Sequence, residues 1–106
     1  MFKNPIICAA DTKNITDALS LAQSIAPHIG AIKLGLEFFT ANGAAGLKEV
    51  AQFGLPIFLD LKFYDIPRTV SEAVYAATLE GVSILTVHAS GGKTMMQAAA
   101  FAAAQA

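Results

Sequence analysis

Four times along this chain a short apolar run gives way to a stretch of helical periodicity, and each run carries a polar or charged residue near, at or just beyond its end. The runs are Pro5–Ala10, Ala31–Gly35, Leu55–Asp60 and Val82–Val87, and the residues at or just beyond their ends include Asp11, Lys33, Asp60 and His88. These markers fall 22, 27 and 28 residues apart, a loose architectural repeat rather than a solenoid. The third run is apolar without alternation, as expected of a strand covered on both faces of a parallel sheet. Helices between parallel strands act as right-handed crossovers. Asn14 is placed to cap a first helix that carries Ile15, Ala18, Leu19, Ala22, Ile25 and Ala26 at helical spacing, and Pro27 and Gly30 stop it. The stretch Leu36–Gln52 is helical in pieces, its limits blurred by Gly43 and Gly46. Pro67 suits the first turn of a third helix, whose buried stripe is Val70, Ala73, Val74 and Ala77, up to Gly81. A last helix starts near Gly92 and runs to an alanine-rich end, with Met95, Met96 and Phe101 expected in the core.

Two architectures fit four βα units. An open doubly wound sheet is complete at about this size, and binds ligands at one switch point. A (β/α)₈ TIM barrel needs roughly 250 residues and gathers its site from the C-terminal ends of several strands. Polar residues at all four strand ends favour the barrel. Neither a GxGxxG nor a GxxxxGK[ST] loop is present. Residues 1–106 are therefore expected to form the first half of a barrel. The alanine-rich helix in which they stop does not read as an evolved terminus, so a fragment or a truncated reading frame is expected, a deliberately made half barrel being the alternative.

Composition removes other classes. Of the 106 residues 55% are apolar and 14% charged, too apolar for disorder. No apolar run approaches the roughly 20 residues of a membrane span. Lys3 has no long apolar stretch behind it and Pro5 interrupts at once, so no secretory signal is read. A net charge of −1 gives no nucleic-acid surface and no polybasic anchor. The lone Cys8 forms no internal disulfide, no Cys/His cluster has metal spacing, and a reducing cytoplasm is expected.

The segment Asp60–Thr69 holds four of the fifteen charged residues, directly after the most apolar run. In an extended segment Asp60 and Lys62 lie on one side, because the strand period is two. A carboxylate beside an ammonium at the mouth of a barrel keeps Lys62 charged and oriented as a proton donor. The plainer reading is a surface ion pair worth little to stability.

The stretch Phe58-Leu59-Asp60-Leu61-Lys62-Phe63-Tyr64-Asp65-Ile66-Pro67-Arg68-Thr69-Val70 resembles the signature of the orotidine 5′-phosphate decarboxylase family, Asp-x-Lys-x-x-Asp-Ile-x-x-Thr, at every fixed position. Asp11, Ile32-Lys33-Leu34-Gly35 and Val87-His88-Ala89-Ser90-Gly91-Gly92 resemble that family in order. The resemblance implies a TIM-barrel homodimer, without metal or organic cofactor, that converts orotidine 5′-phosphate to UMP and carbon dioxide in de novo pyrimidine synthesis. By motif, Lys62 would protonate C6, Asp60 would sit beside the substrate carboxylate, and Lys33 would hold the ribose and order the charges. Asp11 would bind a ribose hydroxyl. Asp65 and Thr69 would reach into the partner's site, and Ile66 would be a substrate-binding residue. The family's uracil contacts, mobile loop and phosphate-binding arginine belong to later strands. Sugar-phosphate decarboxylases of the 3-keto-gulonate 6-phosphate type share DxKxxD but generally carry glutamate where this chain has Lys33. A half barrel that folds or dimerises without turnover is the remaining alternative.

Other polar residues read more plainly. Cys8 is expected as a buried small residue, and His28 as a solvated group at a helix end. His88 is expected to hydrogen-bond beneath the site, near Asp60 or Lys62. Gly91-Gly92 reads as a tight loop, and Arg68 as a solvated charge.

Overall fold

Within residues 4–106, the span that the computed structural model describes, each apolar run contributes a strand and each periodic stretch a helix. Lys3 lies outside the described residues. The strands are β1 (Ile7–Ala9), β2 (Ala31–Gly35), β3 (Ile57–Phe63) and β4 (Val82–Val87). They alternate with helices α1 (Ile15–Ile25), α2 (Leu36–Ala51), α3 (Pro67–Leu79) and α4 (Lys93–Gln105). Short 3₁₀ turns at Ala26–His28 and Ala89–Gly91 follow α1 and β4.

The strands form one parallel sheet in the order β1-β2-β3-β4. This order decides between the two candidate architectures. A doubly wound sheet reverses direction at its switch point, whereas strands added strictly in sequence continue around a barrel wall. Four βα units are half of that ring.

Local chemistry explains the boundaries. The Asn14 side-chain oxygen accepts the Asp17 amide at 3.1 Å, the cap expected of α1. Pro67 occupies the first turn of α3, where its missing N–H costs nothing. α2 is broken at Gly43, whose φ of 63° belongs to the left-handed region, so the helix comes in two pieces. Gly46 is buried, and the position takes glycine because a Cβ there would lie 2.5 Å from the Asn42 Cβ and 3.1 Å from the Phe38 ring.

The main core joins β2 and β3 to α2 through Ile32, Leu34, Phe38, Leu47, Val50 and Leu59, all fully buried or nearly so, with Ala18 and Ala22 of α1 completing it. Each such side chain contributes about 1.5–3 kcal/mol by leaving water. A second cluster, Val70, Val74, Met95, Ala99 and Ala102, packs α3 against α4.

Several expectations need correction. β1 is confined to Ile7–Ala9, and Ile6 and Ile7 are exposed because no strand pairs on their outer side among the described residues. β3 begins two residues later than expected and runs three residues past Asp60, since Leu61 and Phe63 still pack inward beyond the charge. Cys8 is half-buried. Met95 is buried as expected, but Met96 and Phe101 are exposed on other faces of α4. Among the described residues, no helix is long and apolar enough to cross a membrane.

Candidate active site

Register creates the site. Leu59 of β3 pairs with Leu85 of β4, and the next pair is Phe63 with Val87. Between these pairs β3 carries Asp60, Leu61 and Lys62, while β4 carries Thr86 alone. The surplus is a β-bulge, the device that re-aims side chains beside active sites. Lys62 absorbs it with a φ of 53°, the one positive φ at a non-glycine among the described residues. A left-handed L-residue costs roughly 1–2 kcal/mol. Lys62→Gly is therefore expected to be more stable than Lys62→Ala by roughly 0.5–1 kcal/mol, after subtracting glycine's larger unfolded-state entropy. Urea unfolding of the two variants checks this, and equal stabilities would contradict the left-handed backbone.

The bulge gathers four polar side chains. The Lys62 ammonium lies 2.9 Å from Asp60 Oδ2, and the Lys33 ammonium, reaching across from β2, lies 3.8 Å from the same oxygen. The Thr86 hydroxyl donates to Asp60 Oδ1 at 2.7 Å and accepts the Lys62 backbone N–H at 3.0 Å. Asp60 is the shielded centre, its side chain 13% exposed, while that of Lys62 is 55% exposed and faces the opening. The Thr86 hydrogen bond holds the Asp60 carboxyl below its ordinary value, aided by the Lys62 hydrogen bond and charge and by the Lys33 charge, against desolvation. A lowered folded value means the network's contribution is present above the unfolded carboxyl value. It is lost as pH falls through the lowered one. At neutral pH Asp60 is thus an anion flanked by two lysines.

The exposure of Lys62 limits what the pair contributes to stability, so its use lies in what it presents to the opening. A cavity of about 290 Å³ is lined there by Asp60, Lys62, Thr86, Val87, His88 and Ala89. A larger hollow of about 340 Å³ between β4, α3 and α4 is lined by residues such as Val74, Leu85, Met96 and Ala99, without a titratable side chain. The smaller cavity is the chemical one.

Asp60, Lys62 and Lys33 come together as the sequence implied, although Lys62 does so through a left-handed bulge rather than a straight strand. Asp11 is exposed just past β1, where the Ala10 amide donates to the Lys33 carbonyl at 3.0 Å. It stands near the β2 end without joining the Asp60 network. Asp65, Ile66 and Thr69 are all exposed between β3 and the first turn of α3. The Asp65 carboxylate accepts the Ile66 amide at 2.7 Å and is not tied to Asp60 or Lys62.

His88 departs from expectation. Its ring packs against Tyr64, with centroids 5.3 Å apart, instead of hydrogen-bonding to Asp60 or Lys62. Its backbone N–H closes the bulge on the Phe63 carbonyl at 2.9 Å. Thr86, two residues earlier, takes the supporting position. Sequence reading missed it because a threonine between Leu85 and Val87 is ordinary strand material. The available signal was its period-two relation to His88.

The family model described as "Orotidine 5'-phosphate decarboxylase / HUMPS family" matches residues 4–106. An orotidine 5′-phosphate decarboxylase of Sphingopyxis alaskensis is 53% identical over 96 residues, covering 91% of this chain and 43% of that protein. The protein of the same name from the Wolbachia of Brugia malayi is 51% identical over 96 residues, with the same coverage of 91% and 43%. This chain therefore spans less than half the length of these relatives. In fold it is similar to orotidine 5′-monophosphate decarboxylase of Methanocaldococcus jannaschii, with a TM-score of 0.89 at 23% identity, over 96% of this chain and 50% of that one.

Proposed function

This chain belongs to the orotidine 5′-phosphate decarboxylase / HUMPS family, and from that premise we propose that residues 1–106 are the N-terminal, catalytic half of a TIM-barrel decarboxylase domain. The reaction is conversion of orotidine 5′-phosphate to UMP and carbon dioxide, a step of pyrimidine synthesis set in the cytoplasm. The observation that carries the reading is the Lys62 ammonium held 2.9 Å from the partly shielded Asp60 carboxylate at the cavity mouth, with Lys33 3.8 Å from the same oxygen.

The chemistry follows from that placement. As the C6–carboxylate bond breaks, carbon dioxide leaves and the electron pair remains on C6. Lys62 places a fixed positive charge beside that carbon and stabilises the developing carbanion more than the ground state. Its Nζ–H then passes a proton to C6, completing UMP. Asp60 aims the Lys62 ammonium through their 2.9 Å contact, and stands beside the substrate carboxylate. Lys33 balances the second negative charge and takes the ribose, with Asp11 on a ribose hydroxyl. No step calls on a metal or organic cofactor. Asp65 and Thr69, exposed and free of the Asp60 network in their own chain, are assigned to the neighbouring subunit's site in a homodimer, and the exposed Ile66 to substrate binding.

Lys33 favours this reaction over a sugar-phosphate decarboxylase of the 3-keto-gulonate 6-phosphate type, because enzymes of that type generally carry glutamate at the place where this chain has Lys33. The test supplies the rest of the ring: this chain joined to the second half of the Sphingopyxis alaskensis relative. Loss of orotidine 5′-phosphate with release of carbon dioxide is expected. A folded, closed barrel that leaves the substrate intact would overturn the proposal.

A further inference from the structure

The Thr86 hydroxyl occupies the one β4 position that faces the three-residue bulge of β3. It spends its single proton on Asp60 Oδ1 at 2.7 Å and a lone pair on the Lys62 amide at 3.0 Å. The bulge has removed the Lys62 N–H from the regular ladder, and Thr86 is the group that satisfies it. We propose that Thr86 is a positioning residue, one side chain that both pins the left-handed backbone of Lys62 and fixes the rotation of the Asp60 carboxylate. The proposal rests on the decarboxylase reading for its kinetic consequence, though not for its structural one.

The geometry makes the two tasks interdependent. With Oδ1 committed to Thr86, Oδ2 is left facing the ammonium groups of Lys62 and Lys33. A carboxylate free to rotate would exchange its oxygens between lysines and move the proton donor. The Thr86 bond also does most to hold Asp60 ionised, so the hydroxyl acts on charge as well as on direction. Misplacement of a reacting group by about 1 Å can cost on the order of 100-fold in rate.

Two substitutions separate this role from strand packing. Thr86→Val keeps the β-branched shape and removes the hydroxyl, while Thr86→Ser keeps the hydroxyl and removes the methyl. In the barrel completed with the second half from the relative, Asp60 is followed by carbon-13 labelling of its carboxyl through a pH titration. The Lys62 backbone is followed by its amide–Hα coupling. Thr86→Val is expected to move the Asp60 midpoint upward, change the Lys62 coupling and lower kcat roughly 10- to 100-fold with little change in KM. Thr86→Ser is expected to restore all three. Should Thr86→Val fail to fold, Thr86→Ala reads the same quantities. An unmoved Asp60 midpoint in the hydroxyl-free variant, or a serine variant that behaves like valine, would overturn the proposal. The titration and coupling need no substrate. A completed barrel without turnover would therefore remove the decarboxylase reading and leave this inference to be judged on its own.

Discussion

Lys62→Ala, made in the completed barrel, is expected to reduce decarboxylation by at least about 10⁴-fold while leaving the fold intact. The magnitude combines the loss of a positioned proton donor with that of a charge aimed at the developing carbanion. The fold survives because Lys62 is largely exposed and its pairing with Asp60 adds little stability. On the proposed reading the variant would leave Asp60 beside the substrate carboxylate with only the more distant Lys33 to balance it, so substrate binding is expected to weaken as well. Near-normal turnover by a folded Lys62→Ala protein would remove the lysine from its assigned role. The same variant reads the subunit arrangement when mixed with Asp65→Ala. If Asp65 serves the neighbouring site, a hybrid dimer has one site with both defects and one with neither, and activity returns on mixing. No recovery despite subunit exchange would place Asp65 at its own chain's site.

The βα alternation was legible because it is written in periodicity, and the Asn14 cap and the Gly43 break are chemical signals that need no tertiary context. The partnership of Asp60 and Lys62 was legible from spacing and motif. What escaped was register. Whether β4 places one residue or three against Asp60–Lys62 depends on how two strands distant in sequence slide past one another, and no local pattern encodes that slide. The left-handed Lys62, the length of β3 and the role of Thr86 all follow from it. His88 was misjudged for a related reason. The 3₁₀ turn after it and the Tyr64 ring beside it set its direction, and both become neighbours only after folding.

The 106-residue polypeptide by itself is expected neither to decarboxylate orotidine 5′-phosphate at a useful rate nor to behave as a single monomer. In the described sheet β1 and β4 each pair on one side only. Such edges present unpaired backbone donors and acceptors to any passing strand. Beside β4, the hollow lined by Val82, Leu85, Val87 and Met96 is open and apolar, and apolar surface of that kind drives association. Two copies could close an eight-stranded ring and cover both edges. That ring would place a second Asp60–Lys62 pair opposite the first, where the substrate needs neutral and donor groups for its base and phosphate. Without phosphate contacts, binding energy could not be used to align C6 over Lys62. Sedimentation is expected to show dimers or larger species, and a sensitive substrate assay to show no turnover. Adding the second half of the ring from the Sphingopyxis alaskensis relative is expected to change both results together, because one set of strands covers the edges and completes the site. A stable monomer with turnover equal to that of the completed barrel would mean that four βα units suffice for the chemistry.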